Sequence, residues 1–364
     1  MLETVLNNFI VKLNNYPHFK KSLVKLIDFL FEFRKVTVGN LTRNPAYICH
    51  ILRSKVIAKP GTLSFGAVFN PGVLIVDNQV ILLAKAQKIP WFKTQGKKRE
   101  LYLQGNPVLM TLDKNTMQVL EENVITKILD FPQEIDWAIE DTRLFYWKGQ
   151  KMINHSLVIK GVLNGSLNQT SVLSSLSVLD EKEKTFRFCA LPKLDFPLQN
   201  FEKNWVYKES RSELFLFYSI HPFRVLKLEN EQTLQFKTIV NQQSFSKLSD
   251  PGGFGTMVSF STNPIDFDEK YWLLIIHQIK NKISGRCYYH WALLINKETL
   301  LPENITSRPI FSGMGARGRT PGIRYISSIL KVEDEILFFA GEGDVYITVT
   351  KKKIVDIEAM FVGL

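Results

Sequence analysis

The sequence predicts an all-β body behind a short helical extension. Three observations carry that prediction: a change of texture near residue 35, five recurring hairpin units beyond it, and almost no helical periodicity in the rest of the chain. In residues 1–35, Leu2, Val5, Leu6, Phe9, Ile10 and Leu13 fall on one helical face. Pro17 interrupts, and Phe19, Leu23, Leu26, Ile27, Leu30 and Phe31 resume the pattern, giving two amphipathic helices. Lys12, Lys20, Lys21 and Lys25 occupy the other side, which suits either peripheral contact with an acidic membrane surface or a helical cap on the main domain or a second subunit. Residues 36–364 form the second predicted domain, built of short runs rich in Val, Ile, Phe, Tyr and Trp between turn residues.

One unit recurs in that domain: an apolar strand, a polar turn, then a second apolar strand ending in a polar residue. It appears at Val73–Lys85, Thr142–His155, Asn204–His221, Pro264–His277 and Ile326–Asp344. The spacing, roughly 60 to 70 residues, is compatible with a four-stranded propeller blade plus loops. The second strands end in Lys85, His155, His221, His277 or Asp344, and the first strands begin near Asn70, Asp141 with Arg143, Lys203 with Asn204, Asn263, or Arg324. If the units are blades, equivalent positions face one axis, and polar groups distant in sequence meet there. That reading accounts for the stretch AIEDTRLFYW, where Glu140, Asp141 and Arg143 stand at the mouth of an otherwise apolar strand.

Composition narrows the function classes. A chain of 364 residues that is 45% hydrophobic buries a core as one large domain or two ordinary ones. Cys49, Cys189 and Cys287 are widely separated, which excludes a disulfide framework or a Cys-type zinc site and fits a reducing compartment. The start, MLETVLNNF, lacks a secretory pattern, and no apolar run reaches the roughly 18 residues of a spanning helix; the expectation is a cytoplasmic protein. The net charge of +11 favours anionic partners, yet the basic residues are dispersed apart from KTQGKKRE at Lys93 to Glu100. No nucleic-acid-binding signature accompanies them, so that run reads first as a solvated basic loop, with phosphate or sugar phosphate as the alternative, and nucleic acid is not an expected partner. The histidines lack local metal-ligand spacing, and neither GEGD nor GMGARGRT has the spacing of a phosphate loop, so no metal or cofactor is expected. Gly313, Gly315 and Gly318 around Arg317 and Arg319 read as a mobile basic lid.

The order FNPGVLIVDNQVILL, IEDTRLFYWKGQ, FEKNWVYKESRSELFLFYSIHP, GGFGTM, YWLLIIHQ, RCYYHWALLIN, SRPIF and FFAGEGDVYITV resembles that of glycoside hydrolase family 130, five-bladed β-propeller enzymes, and of the related mannosyltransferases. The resemblance runs from about Phe69 to the C-terminus and implies a five-bladed β-propeller that makes or breaks a glycosidic bond. A β-mannoside is the implied substrate, handled by inverting phosphorolysis or glycosyl transfer. The Asp of the family's E-D-P-R motif, here Asp141, is by this resemblance the general acid. Asn70, Asn204 and Asp344 would bind sugar hydroxyls, with Arg143, His221 and His277 beside them, and Lys203, Arg286 and Tyr288 would hold phosphate. Trp205 is a candidate platform for a pyranose ring or, equally, a core residue. Thr142 stands where the family has proline, Lys85 where it has arginine, and NHSLVIKG lacks the arginine that follows the second hairpin in phosphorylases; these departures mark a divergent member. Two alternatives stay open. An inverting hydrolase would need a second carboxylate, Asp344 or Glu342, to activate water; a non-catalytic glycan-binding propeller would tolerate loss of the acid.

Overall fold

The computed structural model describes residues 54–88, 107–125, 127–130, 136–160, 170–199, 201–243, 245–253, 257–282, 285–313, 316–318 and 322–364. The helices expected in residues 1–35 and the basic run at 93–100 lie outside them. The described residues are all-β: five sheets follow one another along the chain, and helix is confined to short pieces such as Ser246–Ser249 and Ile354–Glu358. No described helix is long and apolar enough to cross a membrane.

The body of each sheet is an antiparallel meander that begins on one of the predicted hairpins, and the second and third sheets add a short parallel outer strand, Lys127–Leu129 and Lys193–Leu194. The first runs through Ala67–Val76, Gln79–Gln87, Val108–Asp113 and Val119–Val124. The second runs through Asp136–Trp147, Gln150–Lys160, Thr170–Asp180 and Thr185–Ala190, and the third through Val206–Ser210, Glu213–Ser219, Phe223–Asn230 and Gln235–Gln242. In the fourth the first strand is split into Val258–Phe260 and Ile265–Asp266, both paired with Tyr271–Lys282, and Gly285–Asn296 and Pro302–Thr306 follow. The fifth contains Arg324–Val332, Glu335–Glu342 and Tyr346–Lys353, and its outer strand is Ser54–Ala58 from the far end of the chain. Two-residue turns at Lys148-Gly149 and Arg211-Ser212, every residue with φ between 49° and 73°, match the right-handed twist of the strands they join.

Alternating apolar residues on both faces of each sheet bury it against its neighbours. Ile81, Leu83 and Leu109 of the first sheet pack on Ile139, Leu144 and Ile153 of the second. Phe145 and Met152 pack on Trp205 and Tyr207 of the third, and Phe217 and Val225 on Trp272 and Trp291 of the fourth. Ile275 and Ala292 then meet Ile329 and Phe338 of the fifth, and Leu337, Phe339 and Ile347 return to Val68, Leu82 and Met110 of the first. The packing is therefore cyclic, a propeller-like β fold, and the strand Ser54–Ala58 ties the circle shut. The first strands face inward: Ala67–Val76 contacts both Asp136–Trp147 and Arg324–Val332, and Asp136–Trp147 also contacts Val206–Ser210.

Polar residues interrupt these inner strands at corresponding places. The ladder of the first sheet shifts between Phe69 and Gly72, that of the second between Glu140 and Arg143, and that of the fifth between Ile326 and Ser328. Asn70 (φ 53°) and Asp141 (φ 52°) are the left-handed residues within the first two bulges, the conformation that Asn and Asp tolerate best among residues with a Cβ. The two bulges touch: a Cβ added at Gly72 would lie 2.9 Å from both Arg143 Cα and Thr142 O. Backbone cannot yield as a flexible side chain does, so Gly72→Ala is expected to cost about 1–3 kcal/mol, read as a lower urea midpoint at unchanged m-value.

Candidate active site

The inner bulges bring Asp141 to a buried position between cations. Its Oδ1 accepts a hydrogen bond from Asn70 Nδ2 at 2.8 Å, and its Oδ2 accepts one from Lys203 Nζ at 3.1 Å. Lys203 also donates to Glu140 Oε2 at 3.2 Å, and Glu140 Oε1 is held by Lys85 Nζ at 2.5 Å. The result is an alternating chain, Lys85, Glu140, Lys203, Asp141, drawn from three sheets. Burial by itself would raise the pKa of Asp141, but the charges of Lys203 and Arg143 outweigh it and hold the carboxyl at about 2. Lysine cannot accept a hydrogen bond, so both Asp141 oxygens facing their donors are acceptors and the group is a carboxylate. Burial works against the charge on Lys203, and the carboxylates of Asp141 and Glu140 overcome it and hold its pKa above the ordinary lysine value.

Arg143 lies deeper, only 1% exposed, and its donors go to the protein. Nε donates to Ser261 O at 2.7 Å and Nη1 to Asp141 O at 3.1 Å. Nη2 donates to the Tyr325 hydroxyl and, at 3.4 Å, to Asn204 Oδ1. These four bonds to protein acceptors brace its neighbours, and the guanidinium also acts on the site through its charge.

His277 and Tyr288 lie near this cluster, coupled to the charge of Asp141. Their rings stack at 5.4 Å between centroids, and the Tyr325 ring meets His277 edge-on at 5.3 Å. His277 Nδ1 pairs with Ser261 Oγ at 2.9 Å. Burial, reinforced by the nearby Arg143 charge, pushes its pKa down to about 3, so the imidazole is neutral at physiological pH. Burial raises the Tyr288 pKa; the carboxylates of Asp141 and Asp344 push it the same way, while Arg286 and Lys203 pull against them. These couplings put Asp141, Lys203, Arg286 and Asp344 within electrostatic reach of one phenol. Arg286 is exposed and Asp344 half-buried, the latter at φ 56° just beyond Glu335–Glu342. His221 is exposed in the turn after Glu213–Ser219, at the end of its sheet that carries Asn204, and its peptide to Pro222 is cis.

Several residues have a different place from the one expected. Lys85, His155 and His277 lie inside their strands rather than at the ends. His155 is a core histidine bonded to Ser175 and Ser177, and burial takes its pKa down to about 4. Trp205 is 1% exposed and packs in the core, so it is no sugar platform. Arg317 is buried, with Nη1 on Ser54 Oγ at 3.1 Å and near Glu342 Oε2 at 3.5 Å, so it anchors its loop instead of swinging with a lid. Glu342, a candidate base for water, is fully buried and ion-paired with both Arg317 and Arg324. Tyr325 and Ser261, which hold Arg143, Asn204 and His277, carry no local motif and were not singled out by the sequence. Among the described residues no three His, Cys, Asp or Glu side chains group to hold a metal.

No family model and no curated protein matches this chain. Its fold is that of solved structures of carbohydrate-active proteins. A β-1,2-mannobiose phosphorylase from Listeria innocua shares it at a TM-score of 0.55 and 14% identity, over 85% of this chain and 93% of that one. A GH130 structure described with hydrolases that target β-1,2-mannosidic linkages in Candida mannan matches at 0.54 and 12%, over 79% and 84%. A GDP-Man-dependent mannosyltransferase from Leishmania mexicana matches at 0.51 and 10%, over 85% and 94%. The resemblance carried by the motifs thus holds at the level of fold, in a much diverged sequence. The descriptions of these three neighbours span phosphorolysis, hydrolysis and transfer, so the shared fold does not select a reaction.

The carboxylate pair makes the stability of the site pH-dependent. A depressed carboxyl pKa adds stability above its unfolded value of 3.8, and that stability is lost as pH falls toward about 2. Lys203→Met removes the shared cation and is expected to cost about 3 kcal/mol at neutral pH. Melting temperatures measured between pH 7 and pH 2 will show a shallower acid decline in the variant, since Asp141 then gains less from being ionised.

Proposed function

We propose that this chain is a carbohydrate-active enzyme whose five sheets are the blades of one propeller, and that it transfers a glycosyl unit, expected to be mannosyl, between phosphate and an acceptor hydroxyl. One observation carries the reading: a buried carboxylate on the second sheet, Asp141, is bonded to Lys203 beside the third sheet, its neighbour Arg143 holds Asn204, and His277 and the stacked Tyr288 of the fourth lie within its electrostatic reach. A purely structural ion pair would not require neutral aromatic and amide groups from several sheets at the same point.

The groups left over after internal bonding suit a sugar and an anion. Lys203 keeps one N–H beyond its two carboxylate partners, and Asn204 Nδ2, His277 Nε2, the Tyr288 hydroxyl and the exposed Arg286 make no hydrogen bond among the described residues. Phosphate is already anionic and needs such donors and cations to hold it rather than a base to activate it. Lys203, Arg286 and Tyr288 are assigned to phosphate; Asn70, Asn204, His277 and Asp344, with His221 at the margin, are assigned to the sugar.

The ionised state of Asp141 bears on the direction of reaction. A general acid must hold a proton, whereas Asp141 in the free protein is a carboxylate between Lys203 and Asn70. It is therefore poised to accept the acceptor's proton while the acceptor oxygen bonds to the anomeric carbon and the phosphate oxygen leaves from the opposite face. The reverse step, phosphorolysis, requires the same residue protonated, which is favoured once bound phosphate draws on the charge of Lys203. Glu140, shared between Lys85 and Lys203, holds Lys203 in place.

The deciding experiment incubates the protein with mannose 1-phosphate or nucleotide-activated mannose and a panel of acceptors, with β-mannosides plus and minus phosphate in parallel. Synthesis from mannose 1-phosphate and phosphate-dependent release are expected. Release without phosphate would assign hydrolysis instead, and sugar binding without turnover that survives Asp141→Asn would assign a binding module. Asp141→Asn is expected to lower kcat by about 10²- to 10⁴-fold, and its melting temperature should fall as well, since the variant loses the stability that the ionised carboxylate contributes. In the transfer direction the wild-type rate should show no acid limb from Asp141 above about pH 3, given its pKa of about 2. Lys203→Met should bring that limb into the measurable range, with activity lost as pH falls through the raised pKa.

A further inference from the structure

Tyr325, on the first strand of the fifth sheet, belongs to none of the motifs, yet its hydroxyl stands between the most deeply buried cation and the amide expected to meet the sugar. It receives a hydrogen bond from Arg143 Nη2 and lies 3.0 Å from Asn204 Oδ1, while Arg143 Nη2 itself is 3.4 Å from that same oxygen. The donor order in this triangle is forced by chemistry. Arginine only donates, so the Tyr325 oxygen must accept from it, and its single O–H is left to donate onward. Asn204 then faces two donors, which only its carbonyl oxygen can satisfy. Its NH₂ group is consequently turned away from Arg143 and Tyr325, where it makes no hydrogen bond among the described residues. The backbone of Asn204, at φ 65°, places the side chain beside Lys203 and does not by itself choose between the two amide orientations.

We propose that Tyr325 is a positioning residue that sets the Asn204 amide with its NH₂ toward the bound glycosyl unit, so that this position recognises an acceptor oxygen of the sugar and rejects a group that can only donate. Its ring is fixed for this role by edge contacts with His277 and with Tyr288, the latter at 6.1 Å between centroids. The inference rests on the glycosyl-transfer reading for its substrate, but the orientation of the amide does not.

The test is a double-variant cycle on the full chain. Tyr325→Phe keeps the ring contacts and removes only the hydroxyl; it is expected to raise KM for mannose 1-phosphate about tenfold with kcat within about threefold. Asn204→Ala should have a similar effect, and adding Tyr325→Phe to it should cost nothing more, because the hydroxyl acts through the amide. Additive losses, or a kcat that falls as much as kcat/KM, would overturn the proposal. Asn204→Asp keeps acceptors toward Arg143 and Tyr325 and removes the outward NH₂, so it should bind as poorly as Asn204→Ala; retained binding would overturn the proposal as well. A readout independent of turnover is the ¹⁵N order parameter of the Asn204 side-chain amide, expected to fall in Tyr325→Phe. If it falls while no glycosyl donor reacts, the positioning role stands and the transfer reading fails. If it is unchanged, the positioning role fails whatever the activity.

Discussion

A guanidinium buried where several sheets meet has to find its acceptors on the strands that surround it. Arg143 finds them on four: the carbonyl of Asp141 on its own sheet, Asn204 beside the third, the carbonyl of Ser261 on the fourth, and the hydroxyl of Tyr325 on the fifth. Removing water from such a charge costs several kcal/mol, recovered only when the partners stand in the right places. The inner ends of these sheets are therefore not free to drift: the position of one charged side chain is also the relative position of four strands. The close approach of the first strand adds a steric limit, since Gly72 lies against the backbone of Arg143 and a Cβ at Gly341 would come within 2.1 Å of Asn70 Oδ1.

That arrangement determines the electrostatics around Asp141. The chain from Lys85 through Glu140 and Lys203 to Asp141 alternates in sign, and Arg143 adds its field from beneath. Two carboxylates at neighbouring positions would ordinarily repel, and one would take up a proton. Here Glu140 has Lys85 as well as a share of Lys203, and Asp141 has Lys203 and the Asn70 amide with Arg143 nearby, so Asp141 is held as a carboxylate despite its burial. The neutral His277 beside it contributes shape and polarity without a competing charge. Asp141 thereby has a defined proton state before any ligand arrives, and a binding anion that draws on Lys203 alters that state directly. Coupling between anion binding and proton affinity is what a reversible phosphate-dependent transfer needs.

Much of this was legible in the sequence. The five hairpins were visible because alternating apolar runs around short polar turns leave a period-two signature in any β-rich chain, and each heads one of the five sheets. Asp141, Lys203, Asn204 and His277 stood out as polar residues at the edges of apolar runs and Tyr288 through the family resemblance, and the structure links Asp141 to Lys203, Asn204 to Arg143, and His277 to Ser261 and Tyr288. Other residues defeated the same reasoning. His155 and Lys85 hold the same place in their hairpins as His277, yet one is satisfied by serines within its own sheet and the other is paired with Glu140. Arg317 sits in a glycine-rich stretch that reads as mobile, and only its contacts with Ser54 and Glu342 tie it down. Ser54, 263 residues away in sequence from Arg317, could not have been connected to it by any local pattern.

By itself, the sequence determined that the body is β, how many hairpin units it contains and which polar residues stand at their mouths, because these follow from side-chain alternation and turn chemistry within a few residues. Only the tertiary structure decided which of those residues meet, which are consumed by internal bonding, and that a tyrosine without any motif, Tyr325, stands between Arg143 and Asn204. Those decisions turn on burial: once water is excluded, each donor must find an acceptor among groups that the closing ring of sheets happens to bring near, and that is a property of the packing, not of any local stretch of chain.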